Sequence, residues 1–185
     1  ARAGYDVTAV DYTEAMLAEA KKNAGEMAEK IHFQRMDAQK LDFPDGYFDV
    51  VISRNLTWNL ENPVQAYKEW FRVLKTGGIL LNFDANWYGY LYDDAKRDAY
   101  EKDRLQTAEL GVKDEYEGTD IDAMEAIARK APLSGIMRPQ WDEQVLKRLG
   151  TRKILCDEAV WKKVWSKEEQ VNFSATPMFE IIAIK

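Results

Sequence analysis

The sequence is poor in the residues that build metal cages and disulfides: among 185 residues it has one cysteine, Cys156, and one histidine, His32. A lone cysteine excludes a disulfide within the chain and fits a reducing, cytoplasmic setting. One cysteine with one histidine cannot complete a Cys/His cage, so no metal site is expected. No stretch approaches the roughly 18 uninterrupted apolar residues of a membrane-spanning helix, and no basic start followed by a compact apolar run marks a secretory signal. No membrane partner is expected. Positive charge is also short: Lys and Arg number 26 against 32 Asp and Glu, a formal net charge of −6. That disfavours nucleic acid as a partner, because phosphates call for a dense basic surface. There is no internal repeat and no low-complexity tract. The opening Ala1-Arg2-Ala3-Gly4-Tyr5 has no methionine and reads as a helix end with Gly4 in the C′ position, so a fragment or processed chain is expected.

What is present is apolar patterning sufficient for one domain with a substantial core: 46% of residues are hydrophobic and 12% aromatic. Asp6 to Val10 is a β-branched run closing at Asp11, which reads as a buried parallel strand. Thr13 offers an N-cap and Glu14 suits a first turn, predicting a helix from about Thr13 to Met27. Ile31 to Arg35 alternates as a second strand closing at Met36-Asp37, and Phe48 to Ser53 is a third. Asn62-Pro63 starts a helix, with Val64, Tyr67, Trp70, Phe71 and Leu74 on one face. Gly77-Gly78 is expected to end it, before a fourth strand from Ile79 to Phe83 that finishes at Asp84. Strands and helices alternate with short connections, the pattern of an α/β sheet covered on both faces.

Ala85 to Arg138 breaks that rhythm. It is rich in charge and aromatics and holds two helix candidates, about Asp93–Leu110 and Asp120–Ala131. An insertion at a strand's carboxyl end lies over the crevice where open α/β folds bind ligands, so a helical cover is expected. A helix through Trp141, Val145 and Leu149 ends at Gly150. A fifth strand from Arg152 to Cys156, a short helix within Asp157–Trp165, and a last strand from Phe179 to Ile184 follow. The two late strands lack a full helical crossover, which predicts an antiparallel pair at one sheet edge.

The acids at the strand ends carry the chemistry. A carboxylate at Asp11 can accept hydrogen bonds from both hydroxyls of a ribose, and Tyr12 offers a flat face for an adenine. Asp37 can accept from an exocyclic amino group. At these residues the sequence resembles the class I S-adenosylmethionine-dependent methyltransferases. Val10-Asp11-Tyr12-Thr13-Glu14-Ala15-Met16-Leu17 looks like their second motif. Asp37-Ala38-Gln39 through Asp49-Val50-Val51 resembles their adenine loop and the strand after it, and Arg72-Val73-Leu74-Lys75-Thr76-Gly77-Gly78 resembles the turn before a later strand. The motifs occur in family order between about residues 5 and 84.

The resemblance implies a Rossmann-like doubly wound sheet, mostly parallel with an antiparallel C-terminal strand, and a helical cover insertion. It implies a single methyltransferase-like domain over residues 1–185, N-terminally truncated, with the insertion at residues 85–138. It implies S-adenosylmethionine as cofactor, Asp11 on the ribose, Tyr12 against the adenine, Asp37 on the adenine amino group, and Ala38 and Gln39 around the base. Arg54 and Asn55 fall where the family approaches the methionine moiety and the substrate. The family's first strand and glycine-rich loop are not in this sequence, so weak cofactor binding is expected of this chain, and its open sheet edges are expected to make it oligomerise.

The implied reaction is in-line methyl transfer to a small-molecule acceptor, driven largely by holding donor and acceptor at near-attack distance. A general base is optional, and no catalytic residue is assigned. A nicotinamide-dependent oxidoreductase shares the acid at the second strand's end. A non-catalytic interaction module that kept the scaffold is the third reading. Trp58, Trp87 and Tyr88, near two strand ends, suit either a substrate wall or a packing anchor. His32, within a strand, reads as structural, and Cys156, Trp70-Phe71 and Trp161/Trp165 read as packing residues.

Overall fold

The computed structural model describes residues 1–185. Chain order begins β1 (Val7–Asp11), α1 (Glu14–Ala24), β2 (Ile31–Arg35), β3 (Phe48–Arg54), α2 (Pro63–Val73) and β4 (Leu74–Asp84). It continues with α3 (Asp94–Glu109), α4 (Ile121–Ala128), α5 (Gln140–Arg148), β5 (Lys153–Asp157), α6 (Trp161–Val164), α7 (Lys167–Asn172) and β6 (Phe179–Ile184). β1 and β2 pair in parallel and form a sheet of their own; the second sheet has the order β3-β4-β6-β5. β3 and β4 run parallel, and β6 lies antiparallel between β4 and β5. The sheet class read from the sequence is found, including the late antiparallel pairing. What differs is continuity: β1 has no hydrogen-bonded neighbour on its second side, and neither has β3.

Local chemistry explains the helix starts. Thr13 accepts from the Met16 N–H, Asn62 from the Gln65 N–H ahead of Pro63, Asp93 from the Lys96 N–H and Asp120 from the Ala123 N–H. Each satisfies an N–H that has no intrahelical partner. α2 carries the densest apolar face, burying Ala66, Tyr67, Trp70, Phe71 and Val73 against Leu80, Leu146, Ile181 and Ala183. Each large side chain there contributes about 1.5–3 kcal/mol. Val10, Met36 and Ala38 pack on the same cluster, which fastens the small sheet to the large one through side chains.

Covering of the larger sheet is one-sided. The row Leu80, Asn82 and Asp84 of β4, beside Ile181 and Ala183 of β6, is buried, whereas Val50, Ile52 and Leu155 on the other side are exposed. The expected burial of both faces is therefore not met over these four strands. Cys156 also differs from expectation: it is exposed, because β5 is an edge strand. Desolvation and the nearby carboxylates of Glu158 and Glu143 push its thiol up to about 12.

The strand after α2 starts at Leu74, not Ile79. Gly77 and Gly78 do not end a helix but lie inside β4, where Gly77 takes a left-handed φ of 80° at an irregularity in the pairing with β3; Gly77 N–H donates to the Lys185 carbonyl and Lys185 N–H to that of Gly78. A Cβ on Gly78 would stand 2.9 Å from the Lys75 carbonyl oxygen and 3.1 Å from that of Asp49. Gly78→Ala is expected to cost about 1–3 kcal/mol, read as a lower urea midpoint with an unchanged slope. α7 was not expected from the pattern, yet Ser166 and Glu169 form a capping box visible in the sequence.

Candidate functional site

Asp11 closes β1, and Asp37 follows two residues after the end of β2. Asp11 pairs with Arg35 in register, and the Met36 N–H donates to the Asp11 carbonyl, so both acids lie at the carboxyl ends of the same strand pair. Asp11 Oδ1 accepts from the Thr13 N–H at 2.8 Å and its hydroxyl at 3.1 Å. The turn therefore occupies one oxygen and leaves Oδ2 available. Tyr12 is exposed, with its carbonyl held by Arg35 Nε at 3.0 Å. Asp37 Oδ1 accepts from the Gln39 N–H at 2.8 Å and its Nε2 at 3.2 Å, again leaving Oδ2 open. The Gln39 side chain is committed on both ends, because its Oε1 accepts from the Asn62 N–H at 2.6 Å. The Ala38 carbonyl is taken by Trp70 Nε1 at 3.0 Å.

α2 thus holds the loop after β2. Arg72 donates to the carbonyls of Phe43 and Leu41 at 2.7 and 2.8 Å and to Glu69, which itself accepts from the Leu41 N–H at 3.0 Å. The Arg72 hydrogen bond holds the Glu69 carboxyl below its usual range, against the opposing effect of burial. Glu69→Gln is expected to cost about 1.5–3 kcal/mol near neutral pH. A carboxyl lowered in the folded state stabilises above its unfolded value, about 4.3, and loses that contribution as pH falls through the folded value. Denaturation of both proteins between pH 7 and pH 3 should therefore show the difference shrinking with acidity.

The ends of β3 and β4 make a second group. Asn55 is the one non-glycine residue in the left-handed region, at φ 53°, and its N–H donates to the Phe83 carbonyl at 2.9 Å. A strained residue at a strand's carboxyl end is typical of ligand sites. Arg54 reaches Glu169 of α7 at 3.7 Å. Trp58 donates through Nε1 to the Asn55 carbonyl at 3.2 Å and lies 5.2 Å from the Tyr88 ring. The predicted residues fall in these two groups, with no hydrogen bond directly between them.

Sequence reading missed the centre of the second group. Asp84 is fully buried and accepts from the Trp58 N–H, the Ala85 N–H, Trp87 Nε1 and Arg138 Nη1, at 2.9, 2.9, 3.2 and 2.9 Å. Arg138 also grips Asp142 through Nε at 2.9 Å and Nη2 at 2.7 Å. Tyr67 donates to Asp142 at 2.6 Å and accepts from Asn82 at 2.7 Å, and Thr57 donates to Asn82 at 3.2 Å. Burial opposes the Arg138 charge, but Asp84 and Asp142 outweigh it and hold the guanidinium protonated. Burial likewise pushes the Asp84 carboxyl up, opposed by Arg138. A signal existed: Leu80, Asn82 and Asp84 share one strand face, and two polar residues on a core-facing row call for partners.

Trp87 and Tyr88 wall a cavity of about 210 Å³, with Tyr90, Tyr116 and Phe173 around it. Desolvation pushes the phenols of Tyr88, Tyr90 and Tyr116 up, so they stay neutral near pH 7. Tyr88 is buried and Trp87 is hydrogen-bonded to Asp84, so the same side chains anchor the packing and face the cavity.

Parallel strands with acids at their carboxyl ends and an inserted helical segment beyond them define an open α/β domain of the nucleotide-binding kind. Residues 1–82 match the family model described as a methyltransferase domain. The demethylmenaquinone methyltransferase of Leptospira interrogans is 44% identical over 81 residues, covering 42% of this chain and 32% of that one. The ubiquinone/menaquinone biosynthesis C-methyltransferase of Roseobacter denitrificans is 34% identical over 125 residues, covering 63% and 49%. The chain spans about a third to a half of the length of these relatives. The solved phosphoethanolamine N-methyltransferase 2 of Haemonchus contortus, complexed with S-adenosylhomocysteine, shares the fold at TM-score 0.62 and 15% identity, covering 98% of this chain and 44% of that one. Residues 1–82 are thus similar to a methyltransferase domain, and the chain as a whole shares the fold of a solved methyltransferase.

Proposed function

We propose that this chain binds S-adenosylmethionine across Asp11 and Asp37 and serves methyl transfer to a small-molecule acceptor. The observation that carries the reading is the pair of carboxylates at the ends of two paired parallel strands, each with one oxygen left free by its turn. Asp11 Oδ2 would take the ribose hydroxyls, Asp37 Oδ2 the adenine amino group, and the exposed Tyr12 ring the adenine face. Ala38 and Gln39 shape the base's surroundings through backbone, since the Gln39 side chain serves the link to α2. Arg54 and Asn55 approach the methionine end. Residues 85–138 act as a cover, with Trp58, Trp87 and Tyr88 as the acceptor's wall. When bound, the cofactor supplies a sulfonium-activated methyl group; the chain's part is to orient the acceptor and exclude water.

The Leptospira and Roseobacter relatives are named for methylation in quinone biosynthesis, which makes a quinol carbon one candidate acceptor. Equilibrium dialysis with labelled S-adenosylmethionine tests the cofactor. Label retained by the chain, displaced by S-adenosylhomocysteine and untouched by a nicotinamide dinucleotide, is the expected result. Displacement by the dinucleotide alone would overturn it.

A further inference from the structure

The cavity beside Trp87 and Tyr88 has a composition that methyl transfer alone does not call for. Its walls are aromatic rings, two pairs of which meet nearly at right angles. Trp87 and Phe173 meet at 87° with centroids 5.6 Å apart, and Tyr116 and Phe173 at 74° and 5.9 Å. Five rings, those of Trp87, Tyr88, Tyr90, Tyr116 and Phe173, line the space, and each has two π-faces. Each face carries negative quadrupole potential, which attracts a desolvated cation and does little for a neutral group. The rings already show that preference on this protein: Arg104 lies 4.6 Å from the Tyr116 centroid and Arg97 4.8 Å from that of Tyr90. Neither guanidinium lines the cavity, and no Lys or Arg does.

The one ionisable carboxylate on the lining is Glu115, at the mouth. The run from Asp114 to Ala128 has six acidic residues and no basic one. At about 210 Å³ the space is smaller than the ~300–1,000 Å³ of typical ligand pockets, so it suits a compact headgroup.

The wall is held before any ligand arrives. Asn172 Oδ1 accepts from the Glu115 N–H at 3.0 Å, and Asn172 Nδ2 donates to the Lys113 carbonyl at 3.0 Å. Asp114 accepts from the Tyr116 N–H at 2.8 Å and pairs with Arg104, which also donates to the Asn172 carbonyl. α7 thereby fixes the loop that carries both Glu115 and Tyr116, and a fixed cage avoids the ordering cost of assembling one.

We propose that this cavity is a binding subsite for a small alkylammonium cation, held by the aromatic faces and by Glu115. The binding stands by itself; calling that cation the methyl acceptor or its methylated product rests on the methyl-transfer reading.

Titrating the chain with choline and with 3,3-dimethylbutan-1-ol, its uncharged isostere, while following tryptophan fluorescence, tests the proposal. Choline is expected to bind at least about tenfold more tightly than the alcohol. Glu115→Gln, at an exposed position, should weaken choline by about threefold and reduce its salt sensitivity. Tyr116→Leu should weaken it by about tenfold, whereas Tyr116→Phe, which keeps the ring, should retain binding. Equal binding of the two probes, or binding of neither, overturns the cation subsite. S-adenosylhomocysteine titrated in parallel separates the two readings: choline binding without it supports the subsite and removes the acceptor role.

Discussion

Replacing Arg138 with methionine is expected to destabilise the fold by about 3–5 kcal/mol, the largest effect of any single change considered. The side chain is 1% exposed and is the only cation facing two carboxylates that are fully buried, Asp84 and Asp142. Removing it leaves both charges without a counterion in a medium where water cannot replace it. One of them must then take a proton or the region must open. For a chain of this size each kcal/mol lowers the thermal midpoint by about 2–4 °C, so calorimetry will resolve the change easily. Changing Asp84 and Asp142 to asparagine in the same protein should recover part of the loss, because the burden is unpaired charge rather than lost volume. An Arg138→Met midpoint equal to the parent's would show that the network is not closed as described. The consequence extends to the site, since Asp84 holds Trp58 and Trp87 in place.

Asp11→Ala is expected to weaken S-adenosylhomocysteine binding by at least about a hundredfold. Hydrogen bonds to a charged group are worth about 1.5–3 kcal/mol each, and the ribose would lose two. The same change removes the Thr13 contacts, a cost of about 0.5–1.5 kcal/mol in stability. Asp11→Asn separates the two effects: its side-chain oxygen can keep the turn while the charge is gone. Affinity should fall for Asn as well, with stability close to the parent. If both variants bind as the parent does, Asp11 is a turn residue and no more.

The contrast between these two residues shows what a sequence makes legible. The strand-end positions of Asp11 and Asp37 are legible because strands end in recognisable runs, which is a matter of local order. α1 to α5 were legible for the same reason, through caps and 3.6-residue spacing. Arg138 and Asp142 were invisible, because Arg138 lies 54 positions from Asp84 and nothing local marks the two as partners. The boundary before β4 differs because Gly77-Gly78 is a common helix stop, whereas here the glycines make an irregular turn inside the strand, tied by hydrogen bonds to Lys185, far along the chain. Gln39 was read as a base contact, but its side chain is spent on Asp37 and Asn62, and only coordinates could show that. Trp87 and Tyr88 pack into the fold and also line a cavity, so pattern alone does not separate a wall from an anchor.

The central claim is that two strand-end carboxylates hold an adenosyl cofactor. Isothermal titration of the chain with S-adenosylhomocysteine, run beside the Asp11→Asn variant, tests it most directly. The account predicts one-to-one binding for the parent and a loss of at least about a hundredfold for the variant at matched stability. No binding to the parent, or equal binding to both, would contradict it.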